Sequence, residues 1–136
     1  MSPKARQAIL RLSGALLVVL GVLHLAVTPD IARLIEHSTL PALVPLLEPP
    51  MLLNHVIVGI LLLPLGILTF YAAPFAARGE RWALVVSRAT ALTVAALPVT
   101  LFWLMGTRYF GAVPFVVAVV IVCGASVALL GAAFWP

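Results

Sequence analysis

Charge is what this sequence has least of. Of its 136 residues, 9% are Asp, Glu, Lys or Arg, and only four of those are acids. A soluble domain carries roughly 25% charged residues, so this chain cannot coat a water-exposed globule of its size. The chain as a whole is 64% hydrophobic with a mean hydropathy of +1.23, which makes lipid the expected solvent for most of its surface. Cysteine is nearly absent too. Cys123 stands alone in an apolar run, which excludes an intrachain disulfide or a thiolate metal cage and leaves a small packing residue.

Other absences narrow the function. There is no nucleophile elbow, P-loop, dinucleotide fingerprint or paired-cysteine motif. The net charge of +4 and pI near 10.3 come from eight Lys and Arg spread along the chain, with no basic stripe to follow a nucleic acid. No acid lies in the middle of an apolar run, which weakens a proton-driven transporter. Short alternating segments are missing, so a membrane β-barrel is excluded. No internal repeat or low-complexity tract is visible, and the length suits one transmembrane domain over residues 1–136.

Four runs are long and apolar enough to span a bilayer as helices, which takes roughly 20 residues at a rise of about 1.5 Å each. They cover about 9–27, 51–73, 82–105 and 113–135. The first follows Lys4, Arg6 and Arg11; it is too long for a signal-peptide core, lacks a clear cleavage site, and reads as an uncleaved span. Short connections after spans two and three make an all-α, up-down bundle of four transmembrane helices the simplest architecture. Pro64 and Pro98 fall inside spans two and three and predict kinks. Trp82, Trp103 and Trp135 sit near span ends, at headgroup level. Lys4, Arg6, Arg11, Arg78 and Arg81 lie on one side, Arg33 and Arg108 on the other, so both termini are expected in the cytoplasm of a bacterial inner membrane.

The first connection is long. Thr28 is expected to cap a helix with Pro29 at its first position and Asp30 in its first turn. Ile31, Leu34 and Ile35 would share one face of this amphipathic helix, with Asp30, Arg33, Glu36 and His37 around the other, lying along the outer interface. Pro41, Pro45, Pro49 and Pro50 are expected to break the chain before span two.

Polar residues gather toward the outer side. Asp30, Glu36, Glu48 and His37 lie in that first connection, and Arg108, Tyr109 and Phe110 in the outer connection after span three. His24 falls about one turn from the outer end of span one, and His55 about one turn inside span two, so counting places them at similar depth. Gly14, Gly21 and His24 share one helical stripe, as do His55, Gly59 and Gly66; such glycine stripes face neighbouring helices in membranes. Both imidazoles are therefore expected to point inward, with Asn54 on an adjacent face. Three uses stay open. Each ring can donate to a backbone carbonyl or to Asn54; the pair can hold a haem iron or another metal; or it can transfer protons or bind substrate. A metal site would recruit His37, Asp30, Glu36 or Glu48, since catalytic zinc takes three protein ligands and an open position, yet no H-E-x-x-H spacing occurs. Arg88, two turns into span three, must snorkel to lipid phosphate or bind an anion or a partner subunit.

With its short basic start, ALLVVLGVLHL in span one and three further spans, the whole chain resembles in architecture the small bacterial four-span membrane proteins grouped as DoxX-like. Span two reads LLNHVIVGILLLPLG and adds no family signature. The resemblance implies an association with redox or quinone-linked complexes and assigns no site residues. The function expected is a small membrane subunit or accessory protein of a larger complex, respiratory or photosynthetic, with a haem or pigment between His24 and His55. The alternative is a stand-alone membrane enzyme, binder or transporter whose outer-face site uses His24, His55, Asp30, Glu36, His37 and Arg108. The partners expected are the lipid bilayer and other membrane subunits, not nucleic acid.

Overall fold

The structure, a computed structural model, describes residues 1–106 and 113–135, with the backbone alone at 113–115. The described residues are helical with no strand: α1 (Pro3–Ala26), α2 (Thr28–Ser38), α3 (Val44–Ala77), α4 (Arg81–Met105) and α5 (Val113–Phe134). All but α2 are long and apolar enough to cross a membrane. The all-α expectation with four spans and one short amphipathic helix therefore holds. Arg108, Tyr109 and Phe110 lie outside the described residues.

The helix boundaries depart from the expected spans, because an apolar run marks where lipid is needed and not where a helix must start. α1 begins at Pro3, where the Ser2 hydroxyl accepts the backbone N–H of Ala5 at 3.2 Å. That is a serine N-cap with proline at the first helical position. α3 begins at Val44, and Pro45, Pro49 and Pro50 lie inside it; only Pro41 falls in the preceding turn. Pro45 needs no donor in the first turn. Pro49 and Pro50 deprive the carbonyls of Pro45 and Leu46 of their usual partners, at two exposed residues that water can reach. The 34 residues of α3 reach about 50 Å, against a hydrocarbon core of about 30 Å, so the helix is longer than a crossing needs. α3 and α4 run on through Pro64 and Pro98 without a break.

Thr28 does not cap α2. Val27 holds that position, and its carbonyl accepts from Asp30 and Ile31 at 3.0 and 3.1 Å. Only Val27 separates α1 from α2, so the Thr28 hydroxyl turns back to the end of α1 and donates to the His24 carbonyl at 3.0 Å. The buried face of α2 is also narrower than expected: Ile35 is buried and Ile31 half-buried, but Leu34 is exposed.

The chain packs as two compact units, residues 15–67 and residues 1–14 with 68–136. In the first, Leu17 and Gly21 of α1, Ile35 of α2, and Gly59, Leu62 and Gly66 of α3 are buried. A Cβ on Gly21 would stand 2.9 Å from the Gly59 carbonyl oxygen, and one on Gly59 would stand 3.0 Å from the His24 Cβ. The two glycines thus let α1 and α3 meet backbone to backbone. In lipid this matters more than apolarity, because the surrounding tails are as apolar as any side chain.

In the second unit, buried residues recur at helical spacing on three faces: Thr69, Ala72, Ala73 and Ala76 on α3; Ala83, Ser87, Thr90, Ala91 and Val94 on α4; Ala125, Ser126, Leu129, Ala132 and Ala133 on α5. Small residues again set the spacing, and hydroxyls bridge it. Thr69 donates to Thr90 at 3.1 Å, and Ser126 reaches the carbonyls of Val94 and Val122 at 3.3 and 2.7 Å. α3 closes on Gly79 at φ 80°, with Gly79 and Glu80 donating to Ala76 and Phe75, the paired bonds of a Schellman turn. The Glu80 carboxylate takes Arg78 at 2.9 Å and the Trp82 indole at 2.9 Å, and these two donors hold it below the usual carboxylate range.

Replacing Gly21 by Ala is expected to destabilise the chain by about 1–3 kcal/mol, the cost of overpacking a contact that cannot shift. Gly124→Ala and Gly131→Ala, where an added Cβ meets nothing within 4 Å, should leave stability unchanged. Thermal unfolding in detergent checks both, and equal midpoints for all three variants would remove the close approach of α1 and α3.

Candidate functional site

His24 lies in the last turn of α1 and His55 in the first half of α3, both half-buried. Counting placed them at similar depth, and the structure stacks them. Their ring centroids are 4.7 Å apart with the planes inclined by 23°. The stack forms because Gly59, one turn beyond His55, admits the His24 backbone.

A carbonyl can only accept, so each ring's tautomer follows from its partner. His24 Nδ1–H donates to the Leu20 carbonyl at 3.1 Å, and His55 Nε2–H donates to the His24 carbonyl at 2.9 Å. With the Thr28 hydroxyl, the His24 carbonyl thus receives two side-chain donors at the end of α1, where backbone carbonyls run out of helical partners. In the neutral rings, His24 Nε2 and His55 Nδ1 keep their lone pairs. Asn54 is exposed, and the donors go to carbonyls instead.

A haem with an imidazole on each face requires the macrocycle to lie between the rings. Here the rings lie against each other and each has one nitrogen engaged with backbone, so the pair does not fit a haem or pigment held between them. The rest of the expected outer cluster is dispersed. His37 is exposed with Nδ1 at 2.6 Å from the Arg33 carbonyl, Asp30 pairs with Arg33, and Glu36 is exposed. Glu48 is half-buried and stands two turns from His55 on the same face of α3. Among the described residues, no three His, Cys, Asp or Glu side chains gather for a metal ion.

Arg88 turns toward α5. Its Nε donates to the Ala133 carbonyl at 3.3 Å, and its guanidinium lies 5.4 Å from the centre of the Phe134 ring. Sequence reasoning missed its companion, Arg6, which donates to the Trp135 carbonyl. α5 ends without a capping side chain of its own, and the carbonyls at such an end recruit donors from elsewhere in the chain.

Substituting His55 by Phe keeps an aromatic ring but removes the donor to the His24 carbonyl, and should cost about 1 kcal/mol. His55→Gln, which keeps a donor, should recover part of that loss. Thermal unfolding in one detergent compares them; a Phe variant as stable as wild type would show that the bond contributes nothing. Comparison of the chain with protein-family models, with curated proteins and with solved structures gave no match, so the reading of these residues rests on their own geometry.

Proposed function

We propose that this chain is a small helical subunit of a larger membrane assembly, and that α5 is the helix through which it docks. The carrying observation is one seam on α5. Val117, Val120, Gly124, Val127, Gly131 and Phe134 are all exposed, and their separations alternate between three and four residues. That is the spacing at which two helices interlock side by side. At Gly21 and Gly59 the room left by a missing side chain is filled from within the chain. At Gly124 and Gly131 it is not, since an added Cβ would meet nothing within 4 Å. Valines alternating with glycines on a lipid-facing helix form knobs and hollows suited to a second helix.

Further support comes from how little each span buries, between 22% and 33% of its apolar stretch, and from the chain being almost entirely span. The alternative of a stand-alone enzyme with an outer-face site draws less support, because its polar residues are dispersed and both imidazoles are engaged with backbone. The subunit reading requires no haem or pigment. The resemblance to DoxX-like proteins supports a redox setting for the assembly. The segregation of Lys4, Arg6, Arg11, Arg78 and Arg81 from Asp30, Glu36 and Glu48 supports a bacterial inner membrane with both termini cytoplasmic.

Two measurements test this. Extracted from its native membrane in mild detergent, the wild-type chain should migrate on native gels within a larger species, and Gly124→Leu with Gly131→Leu should release it without lowering its abundance. A wild-type monomer, or variants that stay in the larger species, would refute docking through α5. For orientation, a periplasm-dependent phosphatase fused after the last residue should be inactive; activity would reverse the topology.

A further inference from the structure

Acids and bases are segregated in this chain. Among the described residues, the unit of 1–14 and 68–136 carries Lys4, Arg6, Arg11, Arg78, Arg81 and Arg88, with Glu80 as its one acid. Glu80 is already engaged by Arg78 and Trp82. Among the described residues of this unit, no other carboxylate is left for Arg6 or Arg88.

Those two arginines come from different helices, α1 and α4, and each donates to a backbone carbonyl at the end of α5. Arg6 donates to the Trp135 carbonyl and Arg88 to the Ala133 carbonyl, two residues apart. Arg6 Nε is buried without a hydrogen-bond partner, whereas Arg88 is exposed. Capping α5 does not account for the whole arrangement. A helix C-terminus offers about half a negative charge, against two full positive charges. Each guanidinium has five N–H donors, and the described contacts use one from each. Arginine near a membrane surface is drawn to anionic groups, and the spare donors favour an anion with several acceptor oxygens.

We infer that Arg6 and Arg88, gathered at the end of α5, form a binding site for a phosphate oxyanion. Phosphate suits the donors: it accepts paired N–H bonds from a guanidinium and can bridge two of them. The α5 carbonyls occupy one side of each guanidinium, so the anion approaches from the exposed side of Arg88. Lys4, Arg11, Arg78 and Arg81 add positive charge to the same unit, and two of them lie against other groups: Arg11 is 5.6 Å from the Phe70 ring centre and Arg78 4.7 Å from that of Phe75. The same chemistry is offered by a lipid headgroup and by free inorganic phosphate.

The test uses the full chain in phosphatidylcholine nanodiscs. Phosphatidic acid or phosphatidylglycerol is added in one arm and inorganic phosphate in the other, and bound ligand is read by native mass spectrometry. Wild type is expected to retain the ligand, and Arg6→Gln with Arg88→Gln to bind it about tenfold or more weakly, the loss of charge-assisted bonds. Arg81→Gln should change affinity less than about twofold, as expected of a peripheral charge. Retention of lipid without retention of phosphate assigns the site to a headgroup; retention of both assigns it to the free anion as well. Unchanged binding in the double variant, an equal loss in Arg81→Gln, or no ligand on wild type overturns the site and leaves the arginines as helix caps. Should the double variant fail to fold, wild-type unfolding decides: a midpoint raised by phosphate or anionic lipid but not by matched chloride sustains the site, and no difference overturns it.

Discussion

A backbone carbonyl in lipid has no water to turn to, and the last four carbonyls of every helix lack a helical partner. The side chains of Thr28, His55, Arg6 and Arg88 can be understood from that constraint. At the end of α1, the His24 carbonyl takes Thr28 and His55. At the end of α3 the backbone answers for itself, with Gly79 supplying the left-handed turn. α4 ends on Gly106, whose N–H donates to the Phe102 carbonyl. α5 recruits Arg6 and Arg88. With so few polar groups in the chain, where each one goes is decided largely by the helix ends.

The same economy shapes packing. Burial from water cannot drive one span against another inside a bilayer, so contact distance takes over. Glycine at 21 and 59 and alanine along α3, α4 and α5 let backbones approach, and hydroxyls at Thr69, Thr90 and Ser126 bond where they meet. Large side chains are left to face outward. Among these outward faces, that of α5 carries two glycines at which an added Cβ would meet nothing within 4 Å, which is why it is the seam we propose for docking.

What could be read from sequence follows the same division. Span number and helical class were legible because they depend on long apolar runs, which no local detail overturns. The inward stripes of Gly21 with His24 and His55 with Gly59 were legible because helical periodicity fixes faces. The start of α3 was not, since three prolines look like a break unless it is known that Pro45 needs no donor and that Leu46 reaches water. The role of Thr28 was missed for a related reason. A threonine before Pro-Asp reads as an N-cap, but with one residue between α1 and α2 the unmet need lay behind it, at His24. Arg6 was missed because its partner, 129 residues away, has no trace in local spacing.

The histidine and arginine pairs are thus two answers to one problem, and their chemistry separates them. A neutral imidazole has two nitrogens; once one donates to a carbonyl, the other offers a single lone pair. A guanidinium cannot shed its proton and has donors to spare after capping a carbonyl. Relieving a helix end with histidine therefore closes the account locally, whereas relieving it with arginine creates a new need for an anion. By that reasoning the proposed anion belongs where α5 ends beside two arginines, and not at the histidines.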